Sequence, residues 1–180
     1  MNNISNIQVR EYRKEDLHSV AKVHIDTWND TYANIIPKGF LENRTYESQI
    51  KKWEDRLFNT TDTNEFMFVV ENEEGEVVGF STGELNVVGC NFDSIIYTLY
   101  IIKEYQKKGF GRLLVKAAAS KLRDLGANNM GLWAFYENSA CNFYEHLDGK
   151  QGAKRIVNIA GKNLVEVSYE WNDITYLIDL

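Results

Sequence analysis

Cysteine and proline are nearly absent from this chain: Cys90 and Cys141 are the only cysteines and Pro37 the only proline in 180 residues. Two cysteines so far apart make neither a disulfide framework nor a zinc ligand set. Three scattered histidines, His18, His24 and His146, add no cluster that would hold a metal. Long apolar runs are missing too. The longest, Ile95 to Ile102, is far short of the ~20 residues that a membrane helix needs. The opening residues MNNISNIQVREYRKED contain no apolar segment of the secretory kind. Positive charge is in deficit, since 20 Lys and Arg face 26 Asp and Glu for a formal net charge of −6. Nucleic-acid and anionic-membrane binders need a basic field toward phosphates, so neither is an expected partner. These absences predict a cytoplasmic protein.

What is present is an ordinary globular composition, 44% apolar and 26% charged, in a length that suits one domain over residues 1–180. IQVREY alternates like a strand. Leu17, Val20, Ala21, Val23 and His24 then recur at helical spacing, and the irregular, aromatic WNDTYANIIPKGF should break that helix around Pro37. A second helix is predicted over Tyr46–Phe58, with Ile50, Trp53 and Leu57 on one face. FMFVVEN and EVVGFSTGEL read as a hairpin across EEGE, and SIIYTLYII as the next strand. From Phe110, apolar residues at 113, 114, 117, 118, 122 and 125 trace a helix that ends at Gly126. MGLWAFY is a further strand and SACNFYEHL a short helix. AKRIVNIAGKNLVEVSYEW is a last hairpin turning at AGK. The predicted order is β-α-α-β-β-β-α-β-α-β-β, a mixed α/β fold.

The richest junction is YIIKEYQKKGFGRLL, where a strand breaks into charge, two glycines flank one phenylalanine, and a helix begins. A Walker loop would need four residues between its glycines and a following Lys-Ser/Thr, and neither is present. A dinucleotide loop would need a third glycine where Leu114 stands. What the pattern does offer is helix-end amides without internal partners, with partial positive charge, behind a backbone stripped of side chains. That is a seat for a pyrophosphate. Read without any further signal, the same residues serve equally well as a solvated turn.

At this junction the chain resembles the GCN5-related N-acetyltransferase (GNAT) superfamily, whose Q/R-x-x-G-x-G/A motif stands here as Gln106-Lys107-Lys108-Gly109-Phe110-Gly111 after the strand YTLYII. ENSACNFYEHLDG is similar to a second family feature, and the resemblance extends over nearly the whole chain. It implies a mixed, twisted sheet with splayed central strands flanked by helices, and acetyl-CoA as co-substrate. In that fold Tyr100, Ile101 and Ile102 would pair their backbone with the pantetheine arm. Gln106, Lys107, Lys108, Gly109, Phe110, Gly111 and Arg112 would hold the pyrophosphate. Asn138 would bond the same arm, or would simply cap its helix. Tyr144 would protonate the departing thiolate as general acid. Phe143 and Leu147 are expected to face the core and Tyr144, about 100° further round the helix, the opening.

The implied reaction is acetyl transfer to a primary amine, of a small molecule or a peptide N-terminus. Trp28 and Tyr32, four apart on one helix face, are candidate walls of the acceptor site, and equally candidate core residues. Many relatives carry a glutamate on the fourth strand, where this chain has Ile95, Tyr97 and Leu99. Glu84 and Asp93 are the nearest carboxylates, and the base stays unassigned. A non-catalytic acyl-CoA sensor and a protein-interaction module on the same fold remain as other readings. Trp171, Ile174, Tyr176, Leu177 and Ile178 follow or end the last strand, and must fold back or be covered by a second copy. A homodimer is the expectation from that tail.

Overall fold

A computed structural model describes residues 7–59, 64–85, 88–89 and 91–180. Seven strands form one sheet in the order β1-β2-β3-β4-β5-β7-β6. They are β1 Gln8–Glu11, β2 Phe66–Glu71, β3 Val77–Leu85, β4 Ser94–Ile101, β5 Met130–Phe135, β6 Lys150–Ile159 and β7 Lys162–Trp171. All neighbours are antiparallel except β4 and β5, which are parallel. A parallel pair cannot be joined by a tight turn, so the chain crosses over through a helix, α4 Phe110–Asp124. The predicted mixed fold is the observed one. No helix among the described residues is long and apolar enough to cross a membrane.

Helices cover both faces. α1 Leu17–Thr31 and α3 Tyr46–Phe58 pack on one, where Leu17, Val20, Val23, Trp53, Met67, Val69 and Phe80 make a common core. α4, the short α5 Cys141–His146 and α6 Thr175–Ile178 lie on the other. β2 shows why its sequence is an unbroken apolar run: Met67 and Val69 face α1 and α3, while Phe66 and Val70 belong to the cores on the α4 side. The second helix runs over Tyr46–Phe58 as predicted, held by Thr45, whose hydroxyl accepts from the Ser48 amide at 3.2 Å.

Three details differ from expectation. A five-residue helix, α2 Lys38–Glu42, starts directly after Pro37, which fixes φ at −54° for that start. On α4 the buried stripe is Phe110, Leu114, Val115, Ala118, Ala119 and Leu122, whereas Leu113 and Ala117 are half-buried and Leu125 is 43% exposed. The helix is turned toward the sheet by its first residue, Phe110, which the stripe count had not included. The apolar tail folds back: Ile174 and Leu177 are fully buried, and α6 lies against α4. That removes the ground on which a second copy was expected there. Cys90 lies outside the described residues.

Candidate active site

β4 and β5 pair only at Ile95 with Gly131 and Ile96 with Leu132. Beyond these two rungs β4 stays with β3 and β5 with β7, and the sheet opens. The cause is local. Thr82 pairs with Thr98 and Gly83 with Ile96, so Tyr97 is an extra residue in β4, and a bulge bends the strand that carries it. The opening holds a cavity of about 420 Å³.

The register decides which backbone groups face it. The Ile102 amide donates to the Val78 carbonyl at 3.0 Å, so Ile102 is bonded to β3. Antiparallel bonding alternates, which turns Tyr100 to β3 as well and aims Leu99 and Ile101 into the opening. This corrects the expected set: of Tyr100, Ile101 and Ile102, only Ile101 turns backbone to the opening, with its amide free and its carbonyl taken by the Gln106 side chain, and Leu99 joins it. Tyr100 still contributes its side chain to the cavity wall; Ile102 does not reach it.

At one end lies the turn into α4. Lys107 and Gly109 have left-handed φ of 59° and 94°, and the first helix amide to find an acceptor is that of Leu113, on the Gly109 carbonyl at 3.2 Å. The amides of Phe110, Gly111 and Arg112 have no partner among the described residues, so an anion of phosphate type fits here. Gln106, Lys107, Gly109, Gly111 and Arg112 line the cavity. Three of the seven residues have further duties. Gln106 uses its side-chain amide to bond the Ile101 carbonyl at 2.8 Å, which ties the turn to β4. Phe110 is 5% exposed and packs with Leu114 and Ile101, leaving only its amide for a ligand. Lys108 lies over the Tyr105 ring at 5.4 Å and does not line the cavity. Gly111 is helical; a side chain there would meet the Phe143 ring at 3.3 Å.

Asn138 braces the turn before α5 instead of capping the helix, whose N-cap is Ala140. Its Oδ1 accepts from the Ala140 amide at 2.9 Å, and its Nδ2 donates to the Tyr32 hydroxyl at 3.3 Å. One of its two N–H donors is left for a ligand in the cavity it lines. Tyr144 is buried on α5, with its ring against Phe143 and Tyr169, and also lines the cavity. Leu147 is buried as expected, but Phe143 is only half-buried and shares the cavity wall. Burial pushes the Tyr144 phenol well above its ordinary value, so it is protonated at neutral pH.

At the other end the wall is aromatic, formed by Tyr32, Tyr97, Tyr100 and Trp133 with Thr27 and Thr31 between them. Trp28 sits behind Tyr32, at 5.0 Å between ring centroids, under the Arg44 guanidinium at 4.3 Å. It is half-buried, packs against the core and does not line the cavity; Tyr32 is the wall. His24 stacks on Tyr100 at 5.1 Å, and burial first, then Arg44, lowers its pKa to about 3. Glu84 stays outside the cavity but accepts a hydrogen bond from the Tyr97 hydroxyl at 2.8 Å. Asp93 is exposed and bonded to Asn129, away from the opening. Trp133 and Phe143 were not among the predicted site residues, and nothing in their local sequence separates them from core aromatics.

Comparisons with known proteins bear on this arrangement. Residues 10–149 match the model of the Acetyltransferase (GNAT) family. The chain is 33% identical over 172 residues to an uncharacterized N-acetyltransferase, YuaI, of Bacillus subtilis (strain 168), covering 95% of this chain and 96% of that one. It is 24% identical over 134 residues to a spermidine N(1)-acetyltransferase of Thermoplasma acidophilum, covering 74% and 81%. Among solved structures, PaiA N-acetyltransferase of Thermoplasma acidophilum in complex with coenzyme A superposes at a TM-score of 0.65 with 18% identity, over 92% of this chain and 99% of that one.

Proposed function

Because the chain belongs to the GNAT family of acetyltransferases, we propose that it moves the acetyl group of acetyl-CoA to the primary amine of a small molecule, by direct attack on the thioester. Acetyl-CoA is the co-substrate of this family. The observation that carries the reading is convergence: unpartnered amides of Phe110 to Arg112, the free β4 edge at Leu99 and Ile101, and the Tyr144 phenol all meet at one cavity.

Each group has a task that its surroundings suit. The amides at the head of α4, with Arg112 and Lys107 beside them, bind the pyrophosphate. Leu99 and Ile101 pair with the amide-bearing arm as an added strand, and an amide of this edge polarises the thioester carbonyl. The remaining Asn138 donor fixes the same arm. Tyr144 gives its proton to the departing sulfur. Its burial weakens it as an acid, but desolvation makes the thiolate a stronger base as well, so the two remain matched.

The acceptor reading rests on the aromatic wall. Among the described residues no carboxylate lines the cavity, so an ammonium there meets ring faces. Such a wall suits a compact amine. The test is thiol release from acetyl-CoA with a panel holding a polyamine, simple alkylamines, amino acids and a peptide N-terminus. Release above background with a small amine supports the proposal. CoA binding without release from any member would replace it with a sensor.

A further inference from the structure

We propose that Tyr97 and Glu84 form the route by which the acceptor ammonium loses its proton, a role that rests on the acetyl-transfer reading above. Three observations place it. Tyr97 is the extra residue of the β4 bulge, directly after the last rung shared with β5, and it lines the acceptor end of the cavity. Its hydroxyl donates to Glu84 Oε2 at 2.8 Å, which links the cavity to a carboxylate that does not itself line it. Among the described residues, Tyr97 is the lining tyrosine whose hydroxyl donates to a carboxylate, whereas the Tyr32 hydroxyl meets the Asn138 amide.

The charged surroundings keep Glu84 available. Arg56, from α3, passes behind the Tyr97 ring at 5.3 Å and is bonded to Glu65, at the head of β2, at 2.6 Å. No salt bridge to Glu84 exists among the described residues. Glu84 is half-buried, so water can carry away what it collects. Burial first, then the bond to Glu84, pushes the Tyr97 phenol up to about 12. Such a group is no base by itself and can only relay. Its oxygen takes a proton from the ammonium as its own proton passes to Glu84 Oε2. The freed lone pair forms the C–N bond while the C–S bond breaks, and Tyr144 gives a proton to sulfur. Once acylated, the nitrogen sheds its second surplus proton, which replaces the one that Tyr144 gave. Two protons leave nitrogen and one is taken by sulfur, so one reaches solvent through Glu84.

The test uses Tyr97→Phe and Glu84→Gln, both close in shape to the native residues. With an alkylamine, kcat/KM should fall on the order of a hundredfold in each, and the double variant should be no worse than the singles. Without the relay only the neutral fraction of the amine reacts, so the rate should climb about tenfold per pH unit toward the pKa of the amine. An acceptor already neutral at assay pH should be used equally by wild type and variants, a rescue that a merely structural role does not give. In protein labelled with 13C at the tyrosine ring, the resonance lost in Tyr97→Phe should titrate above 10 and move down toward it in Glu84→Gln. CoA protection against heat should be the same in all forms. Variants within threefold of wild type, with an unchanged pH profile, overturn the route while acetyl transfer stands. A wild type that releases no thiol with any amine overturns the acetyl-transfer reading, and this one with it.

Discussion

In the proposed reaction the two ends of the cleft recognise their ligands by different means. At the α4 end the working groups are backbone amides and the φ angles that aim them, supplied by one stretch, residues 106–112. At the β-bulge end they are side chains from α1, β3, β4 and β5, which meet only in the folded chain. A backbone site accepts any ligand with the right phosphate and tolerates change in its side chains. A side-chain site can be retuned residue by residue without disturbing the other end. One fold can thus keep its donor while its acceptor varies.

Tyr144 stands where the two ends meet, and its loss should give the largest effect. Tyr144→Phe keeps the ring packed on Phe143 and Tyr169 and deletes only the donor. Turnover should fall by about 10² to 10⁴ with CoA affinity unchanged. Near-wild-type turnover with a good acceptor would show that the thiolate leaves without this residue.

Next comes the backbone of the donor end. A side chain at Gly109 meets nothing within 4 Å, but φ of 94° strains any residue with a branched Cβ. Gly109→Val should re-aim the Phe110 to Arg112 amides while the core stays folded. CoA at about 100 times its dissociation constant should add roughly 2.7 kcal/mol to the wild type, several degrees of melting temperature, and little to the variant. An undiminished shift in Gly109→Val would remove the amides from the pyrophosphate site.

The same contrast explains what the sequence made legible. The donor end could be read because its chemistry is local: Gly109 sits in the left-handed region and the helix follows at once. The fold could be read because the segments of β2 to β5 are rich in β-branched and aromatic residues and α4 repeats apolar residues at helical spacing. Errors arose where a neighbour strand decides. Whether Tyr100 or Ile101 faces the opening depends on the β3 register and on the bulge at Tyr97, and no single-strand pattern contains either. Gln106 lines the cavity, yet its side-chain amide is held by the Ile101 carbonyl, a contact that no local pattern contains. Trp28 and Tyr32 share a helix face, yet Phe40 and Arg44 cover one and the cavity meets the other.

The acceptor end also carries a pH liability that the donor end lacks. His24 is neutral in the native state down to about pH 3, held there by burial and then by Arg44, whereas in the unfolded chain it takes a proton near pH 6.5. Below that value the unfolded state binds more protons, so stability falls with pH, by about 1.6 kcal/mol between pH 6.5 and 5. His24→Phe keeps a ring on Tyr100 and has no Nδ1 to leave buried without a partner. Urea melts at several pH values should show that drop in the wild type and lose most of it in His24→Phe. Equal slopes in the two proteins would mean that other groups carry the acid sensitivity.

The smallest effect should come from surface charge at the donor end, and its size tests whether backbone truly dominates there. Lys108 points its ammonium over Tyr105, is exposed, and does not line the cavity. Arg112 does line it, but is exposed too and has no fixed partner among the described residues. Exposed ionic contacts are worth about 0–1 kcal/mol and weaken with salt. Lys108→Ala should therefore change CoA affinity by less than about twofold, and Arg112→Ala by less than about fivefold, with both losses shrinking in high salt. Titration calorimetry at two ionic strengths measures this directly. A loss in either variant that matches Gly109→Val would mean that fixed charge, rather than the aimed amides, holds the pyrophosphate, and the contrast between the two ends of the cleft would collapse.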